Sequence, residues 1–231
     1  MKNKTAWFLS TWWAIILRPI YFYTVLPEED WREKALTFLF INSWILAFAA
    51  ALFVFFVQYA PIGKTLVQNI SGFKFILILP VLIALAGVFF LITVLILGGF
   101  FVGAFFAMFY VVGLVLHYIY ALLGGKGKLN KILQQSFYSS AVLIFALLII
   151  LLMFLTSYGL LGFSLFRAGF IIVYGLVLLY VYGLWAVAGR KTYAVSKPVA
   201  FIGALLPVII LLIFGVLFDK IALPVLQPWI S

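Results

Sequence analysis

Residues 75–123 read FILILPVLIALAGVFFLITVLILGGFFVGAFFAMFYVVGLVLHYIYALL, with no Asp, Glu, Lys or Arg. An uncharged apolar run of about 18 residues already marks a membrane-spanning helix. As one straight helix this stretch would reach about 73 Å, against a hydrocarbon core of about 30 Å. The sequence therefore predicts a break into two segments, 75–97 and 100–123. Gly98-Gly99 is the cheapest place for it, and Pro80 is a further kink candidate. Gly99 and Gly103 form a small-xxx-small pair that permits close helix approach.

The rest of the chain agrees with that reading. Of 231 residues, 68% are hydrophobic and 9% charged. Average soluble domains are about 45–50% apolar and about 25% charged. A water-facing surface cannot be built from so few charges. A soluble globular protein, a disordered chain and a nucleic-acid-binding domain are excluded. Further apolar segments lie at 35–60, 137–158, 168–188 and 198–218. The predicted fold is all-α, a polytopic transmembrane bundle over 28–231. The aromatic residues, 26 Phe, 12 Tyr and 7 Trp, suit lipid and its interfaces.

The polar groups exclude most chemistry. No Cys is present, so disulfides, thiolate metal ligands and a thiol nucleophile are out. A lone His117 cannot assemble a zinc site. The acids are Glu28, Glu29, Asp30, Glu33 and Asp219, none within a long apolar run. The Asp/Glu relay of proton-coupled transporters is therefore missing. Gly124-Gly125-Lys126-Gly127-Lys128 lacks the Gly-Lys-Ser/Thr ending of a phosphate-binding loop. No cofactor, metal or catalytic residue is expected, and no nucleic-acid partner.

Residues 1–27 form a separate segment. Its apolar run is too short to span comfortably, and Arg18-Pro19 follows it without a small-residue cleavage site. Lys4, Thr11 and Arg18 lie seven apart and stack into one polar stripe on a helix. With three Trp, the segment reads as an amphipathic helix lying in the interface or packed against the bundle. Pro27-Glu28-Glu29-Asp30 reads as a helix start, where acids complement the helix dipole. Pro61-Ile62-Gly63-Lys64 reads as the end of the first span. The tail 223–231 reads as an interfacial stub.

Loop charges predict topology, since cytoplasmic loops collect Lys and Arg. Six passes would divide the cations almost evenly, seven against eight. An odd number of passes gathers eleven on the N-terminal side and four on the other. The rule favours five net passes with the N-terminus cytoplasmic in the cell (plasma) membrane. It requires 75–123 to cross only once in net terms.

A family resemblance runs along the chain in three blocks. The first is Leu17-Arg18-Pro19, Tyr21-Phe22-Tyr23 and the acidic-Trp stretch ending at Trp31. The second, the most specific, joins His117, Gly124-Gly125-Lys126-Gly127 and Tyr138-Ser139-Ser140. The third is Gly183-Leu184-Trp185 with Gly189-Arg190-Lys191, ahead of a last span containing Pro207. Together they resemble the Yip1 domain family, in its bacterial branch. The resemblance implies a non-enzymatic, multi-spanning membrane protein, five-spanning with a cytoplasmic N-terminus in the eukaryotic branch. That branch works in membrane trafficking beside Rab-type GTPases. The long N-terminal region of those members is missing here, so Rab-type GTPase binding is not expected. The Pro that often follows the Tyr-Ser pair is also missing, with Val142 in that neighbourhood.

Lys126, Lys128 and Lys131, together with Arg190, Lys191 and Lys197, are candidates for binding anionic lipid headgroups or a protein partner. Each Lys near an anionic leaflet is worth about 1 kcal/mol. They also serve as topology-setting turns. Gly124, Gly125 and Gly127 give the first of these loops its flexibility. His117 lies within a span, and intramembrane polar groups are usually partnered. Tyr138 or Ser139 is its expected partner. The functional expectation is a membrane organiser with a basic cytoplasmic face, bound to lipids, a protein partner or a second copy. A small transporter, channel or lipid-moving protein is the alternative.

Overall fold

The computed structural model describes residues 4–68, 70 and 73–230. Lys2 and the side chain of Lys4, both counted above, lie outside them. Every regular element among the described residues is helical. Five stretches are long and apolar enough to cross a membrane: Lys34–Thr65, Lys74–Leu122, Leu129–Ser157, Phe163–Tyr193 and Lys197–Ile230.

The N-terminal segment folds as α1 (Lys4–Leu17) and α2 (Pro19–Val25). They part at Arg18, because the residue before a proline is pushed out of the helical region. The expected polar stripe is corrected at its centre. Thr11 is buried, because Phe8 and Ile15 share its face and turn that face inward. The Phe8 ring lies 5.1 Å from that of Phe38. The Trp12 indole N–H donates to the Ala141 carbonyl at 3.0 Å. The Tyr180 hydroxyl donates to the Ile16 carbonyl at 2.6 Å. Polar contacts as well as apolar ones dock α1 on the bundle.

The helix start expected at Pro27 is also corrected. Residues 26–30 carry no regular structure, and α3 begins at Lys34. The cause is competition for backbone acceptors. The carbonyls of Leu26, Pro27 and Glu29 accept hydrogen bonds from Lys131, Gln134 and Asn130. α3 (Lys34–Val54) does not stop at Pro61 either. It widens into a π turn, Phe55–Tyr59, and continues as α4 (Ala60–Gln68). A second π turn, Phe218–Ala222, joins α9 (Lys197–Leu217) to α10 (Leu223–Ile230). Each π turn ends two residues before a proline, Pro61 and Pro224. A proline brings no N–H and its ring crowds the preceding turn, so the wider turn accommodates it without ending the helix.

The break expected at Gly98-Gly99 does not occur. α5 (Phe73–Leu122) runs unbroken through both glycines and through Pro80. A mid-helix Gly costs about 1 kcal/mol relative to Ala. Exposing unpaired backbone groups in an apolar environment costs several kcal/mol each, so continuing the helix wins. Gly98 has a packing role, because the ring of Trp44 in α3 occupies the space its Cβ would take. Gly99 and Gly103 have nothing within 4 Å of a would-be Cβ. They lie on the outer face, so the close approach their spacing permits is not made within the chain.

The next long apolar helix starts eight residues earlier than the predicted 137–158. It comprises α6 (Leu129–Tyr138), a 3₁₀ stretch Ser139–Phe145 and α7 (Ala146–Ser157). Lys131 is thus helical rather than in a loop. The 3₁₀ stretch begins fully buried, and irregular backbone at such depth requires protein partners. Trp12 supplies one, at Ala141. A Schellman turn at Gly159, φ +73°, ends α7: the N–H groups of Gly159 and Leu160 reach back to Thr156 and Leu155. α8 (Phe163–Tyr193) extends the predicted 168–188 at both ends.

The tail expected to be a stub is α10, whose Leu223 and Ile230 are buried with Phe166 and Phe170. Arg167 clamps it with two parallel bonds to Asp219, both 2.6 Å. Asp219→Asn is expected to speed hydrogen exchange of the 223–230 amides while leaving the α3 and α8 core amides unchanged.

These contacts sort the connections to two ends. Residues 26–34, 123–131 and 190–197 meet at one, and Tyr158, Arg167 and Asp219 at the other. The Tyr158 hydroxyl donates to the Phe56 carbonyl at 3.3 Å, which brings the α3–α4 junction to that second end.

Candidate functional site

The first end is organised around Tyr193, the last residue of α8. α5 stops in a Schellman turn. Gly124 has φ +84°, the Gly125 N–H donates to the Tyr120 carbonyl at 2.9 Å, and the Gly124 N–H to Ala121 at 3.1 Å. That turn lays Gly125 and Gly127 on Tyr193. A Cβ at Gly125 would lie 2.7 Å from the Tyr193 Cβ, and one at Gly127 would lie 2.6 Å from its ring. These glycines are needed for close approach as well as for turning. Lys126 lies between them, so the loop after α5 and the turn between α8 and α9 share one face.

The six candidate cations divide into two groups. Lys128 pairs with Glu28 at 3.0 Å, and Lys131 Nζ donates to the Leu26 carbonyl at 2.5 Å. The acidic segment is therefore a strap across the start of α6. Asn130 and Gln134 tie it further, through Glu29 and Pro27. Lys34 pairs with Glu29 at 2.6 Å. Lys126, Arg190, Lys191 and Lys197 are exposed. Among the described residues, none of these four forms an ion pair or a side-chain hydrogen bond.

His117 does not meet Tyr138 or Ser139 as expected. Its Nδ1 lies 2.5 Å from the hydroxyl of Tyr193. The correction follows from helix order, because α5 and α8 meet beneath the loop while Ser139 faces a different part of α8. Ser139 accepts from the buried indole N–H of Trp185 at 2.9 Å. The ring of Tyr138 packs between Phe22 and Phe38. Beside Tyr193 stands Tyr120, its ring stacked at 5.2 Å. Its hydroxyl donates to the Ala200 carbonyl at 2.6 Å. Gly189 of α8 and Gly203 of α9 lie flat against the Tyr120 ring.

A polar belt continues inward. The Thr192 hydroxyl donates to Gln135 Oε1 at 2.6 Å, and Tyr23 reaches the Gln135 carbonyl. Burial pushes the Tyr23 phenol well above its ordinary pKa, so it remains a donor. The Asn42 amide donates to Ser140 at 3.3 Å. The groups in this belt hold helices together. Among the described residues, no three of His, Asp and Glu converge as metal ligands.

Tyr120, Tyr193, Trp185, Gly189 and Gly203 were not singled out from sequence as parts of one site. Gly189 and Gly203 carried a weak signal, as small residues inside apolar helices. The acidic strap carried none, because its bonds run through backbone carbonyls. No family model, no curated protein and no solved structure matches this chain.

Proposed function

We propose that the chain is a five-pass, non-enzymatic integral membrane protein of the Yip1 type. Its N-terminus and Tyr193 end face the cytoplasm of the plasma membrane. It organises membrane, or recruits a partner, through anionic groups that bind its basic end. The observation that carries this reading is the meeting of two basic connections on one face, with four cations left without counter-ions. The sorting of connections to two ends supports the odd pass count, since it gathers most cations at one end. The unbroken α5 removes the helix break that suited a transporter. Outward-facing Gly99 and Gly103 leave room for a second copy.

The test is charge removal in the membrane. Lys126→Gln, Arg190→Gln, Lys191→Gln and Lys197→Gln are combined, and the protein is reconstituted in vesicles with and without phosphatidylglycerol. Retention of anionic lipid around the protein is expected to fall, by about fivefold for each cation removed. Lys64→Gln with Lys74→Gln, at the other end, is expected to change nothing. Equal lipid retention by all three proteins would refute the reading.

A further inference from the structure

The four free cations have a definite setting. Arg190 and Lys191 lie in the last turn of α8. Lys197 is the first residue of α9. Lys126 is held against the same point, because both of its glycine neighbours touch Tyr193. All four are thus within about one turn of Tyr193 along the chain or across that contact. Among the described residues no acid pairs with the four: Glu28 and Glu29 are engaged with Lys128 and Lys34, Asp30 accepts from the Arg32 backbone N–H, and Glu33 is exposed and outside every ion pair. Asp219 is at the far end, paired with Arg167.

The cations also sit where apolar surface begins. Leu122 and Leu123, just before the Lys126 loop, and Ile202, one turn into α9, are exposed. A charge patch directly above open apolar helix surface matches a lipid, whose head and tails occupy those two levels. An acidic protein segment would use the patch and leave the apolar shelf bare. A single phosphodiester would cancel one charge of four. A head carrying two phosphates, with two negative charges, matches the patch better.

We propose that the Tyr193 end holds one molecule of a lipid bearing two phosphodiesters, of the diphosphatidylglycerol class. Lys126 takes one phosphate and the Arg190, Lys191 and Lys197 turn takes the other. This rests on the basic-face reading above and narrows it to a lipid class.

The experiment uses the full chain in detergent, delipidated and titrated by native mass spectrometry. One probe is tetraoleoyl diphosphatidylglycerol. The other is dioleoyl phosphatidylglycerol at twice the concentration, so that phosphate is equal. The bisphosphate lipid is expected to bind about tenfold tighter. The combined Lys126→Gln, Arg190→Gln, Lys191→Gln and Lys197→Gln variant is expected to lose that preference, and Lys64→Gln with Lys74→Gln to keep it. If the combined variant does not elute as the wild type does, the four single variants carry the test, each losing about fivefold.

Equal binding of both lipids, reduced alike in the variant, would overturn the bisphosphate proposal and leave the basic-face reading standing. Binding that none of the variants alters would overturn both. Displacement of the lipid by free pyrophosphate at matching concentration would show that the anion alone is recognised. Displacement by a polyglutamate peptide would place a protein segment on the patch. Either displacement overturns the lipid assignment.

Discussion

Gly189→Val and Gly203→Val are each expected to lower stability by about 3 kcal/mol, the upper part of the range for overpacking a closed site. Both glycines lie against the ring of Tyr120, which has no exposed surface. That ring cannot swing aside, because its hydroxyl is bonded to the Ala200 carbonyl and its face is stacked on Tyr193. A larger side chain must therefore part α5 from α8 or α9. Gly99→Val and Gly103→Val are the controls. A Cβ there meets nothing, and the isolated chain is expected to melt as the wild type does. The measurement is thermal unfolding of purified protein in one detergent, with native elution as the readout. A glycine-to-valine series with equal losses at all four positions would contradict the packing described.

Trp185→Ala carries the second large effect, about 3–5 kcal/mol. Trp185 is the largest fully buried side chain of the core, and its indole N–H donates to Ser139. Removing it leaves a cavity in the middle of the bundle and takes away one hydrogen bond of Ser139, whose hydroxyl still donates to the Ser136 carbonyl at 2.6 Å. Ser139→Ala separates the two causes. It leaves Trp185 in place, strands the indole N–H, and is expected to cost about 1–3 kcal/mol. The same thermal measurement reads both. In lipid the tails are as apolar as Leu, so close fit and buried hydrogen bonds carry helix association. Substitutions that only shorten exposed residues such as Ile76 or Leu95 are accordingly expected to change little.

The class of fold was legible because it depends on composition and run length, which are properties of the sequence itself. Each expected apolar segment falls on a long helix, but 75–97 and 100–123 share the unbroken α5, and the helix ends differ from those expected. Residues 26–30 held helix-starting chemistry, yet their carbonyls were claimed by α6, a contact between residues about 100 positions apart. Pro61 looked like a stop, and the π turn ahead of it lets the helix continue. Gly98 looked like a break because glycine is flexible. It is there because Trp44 needs the space, and that depends on how α3 crosses α5.

The candidate site was half legible. The six cations stood out as charges in an apolar chain. Which of them are free depends on the acidic strap, and which share a face depends on Tyr193. His117 was read as a polar group within a span, needing a partner. Its partner was sought across the nearest loop and lies 76 residues on, in α8. Local spacing cannot reveal helix neighbours, and in a chain this apolar many pairings suit the hydrophobic pattern equally.

Side-specific labelling distinguishes the proposed five-pass bundle, with the Tyr193 end inside the cell, from a bundle with an even number of passes. The chain has no native Cys, so Lys64→Cys, Lys126→Cys and Lys191→Cys can be made singly and probed with a membrane-impermeant maleimide. Positions 126 and 191 are expected to react only after the membrane is opened, and position 64 from outside intact cells. Labelling of 64 and 126 from the same side would contradict it.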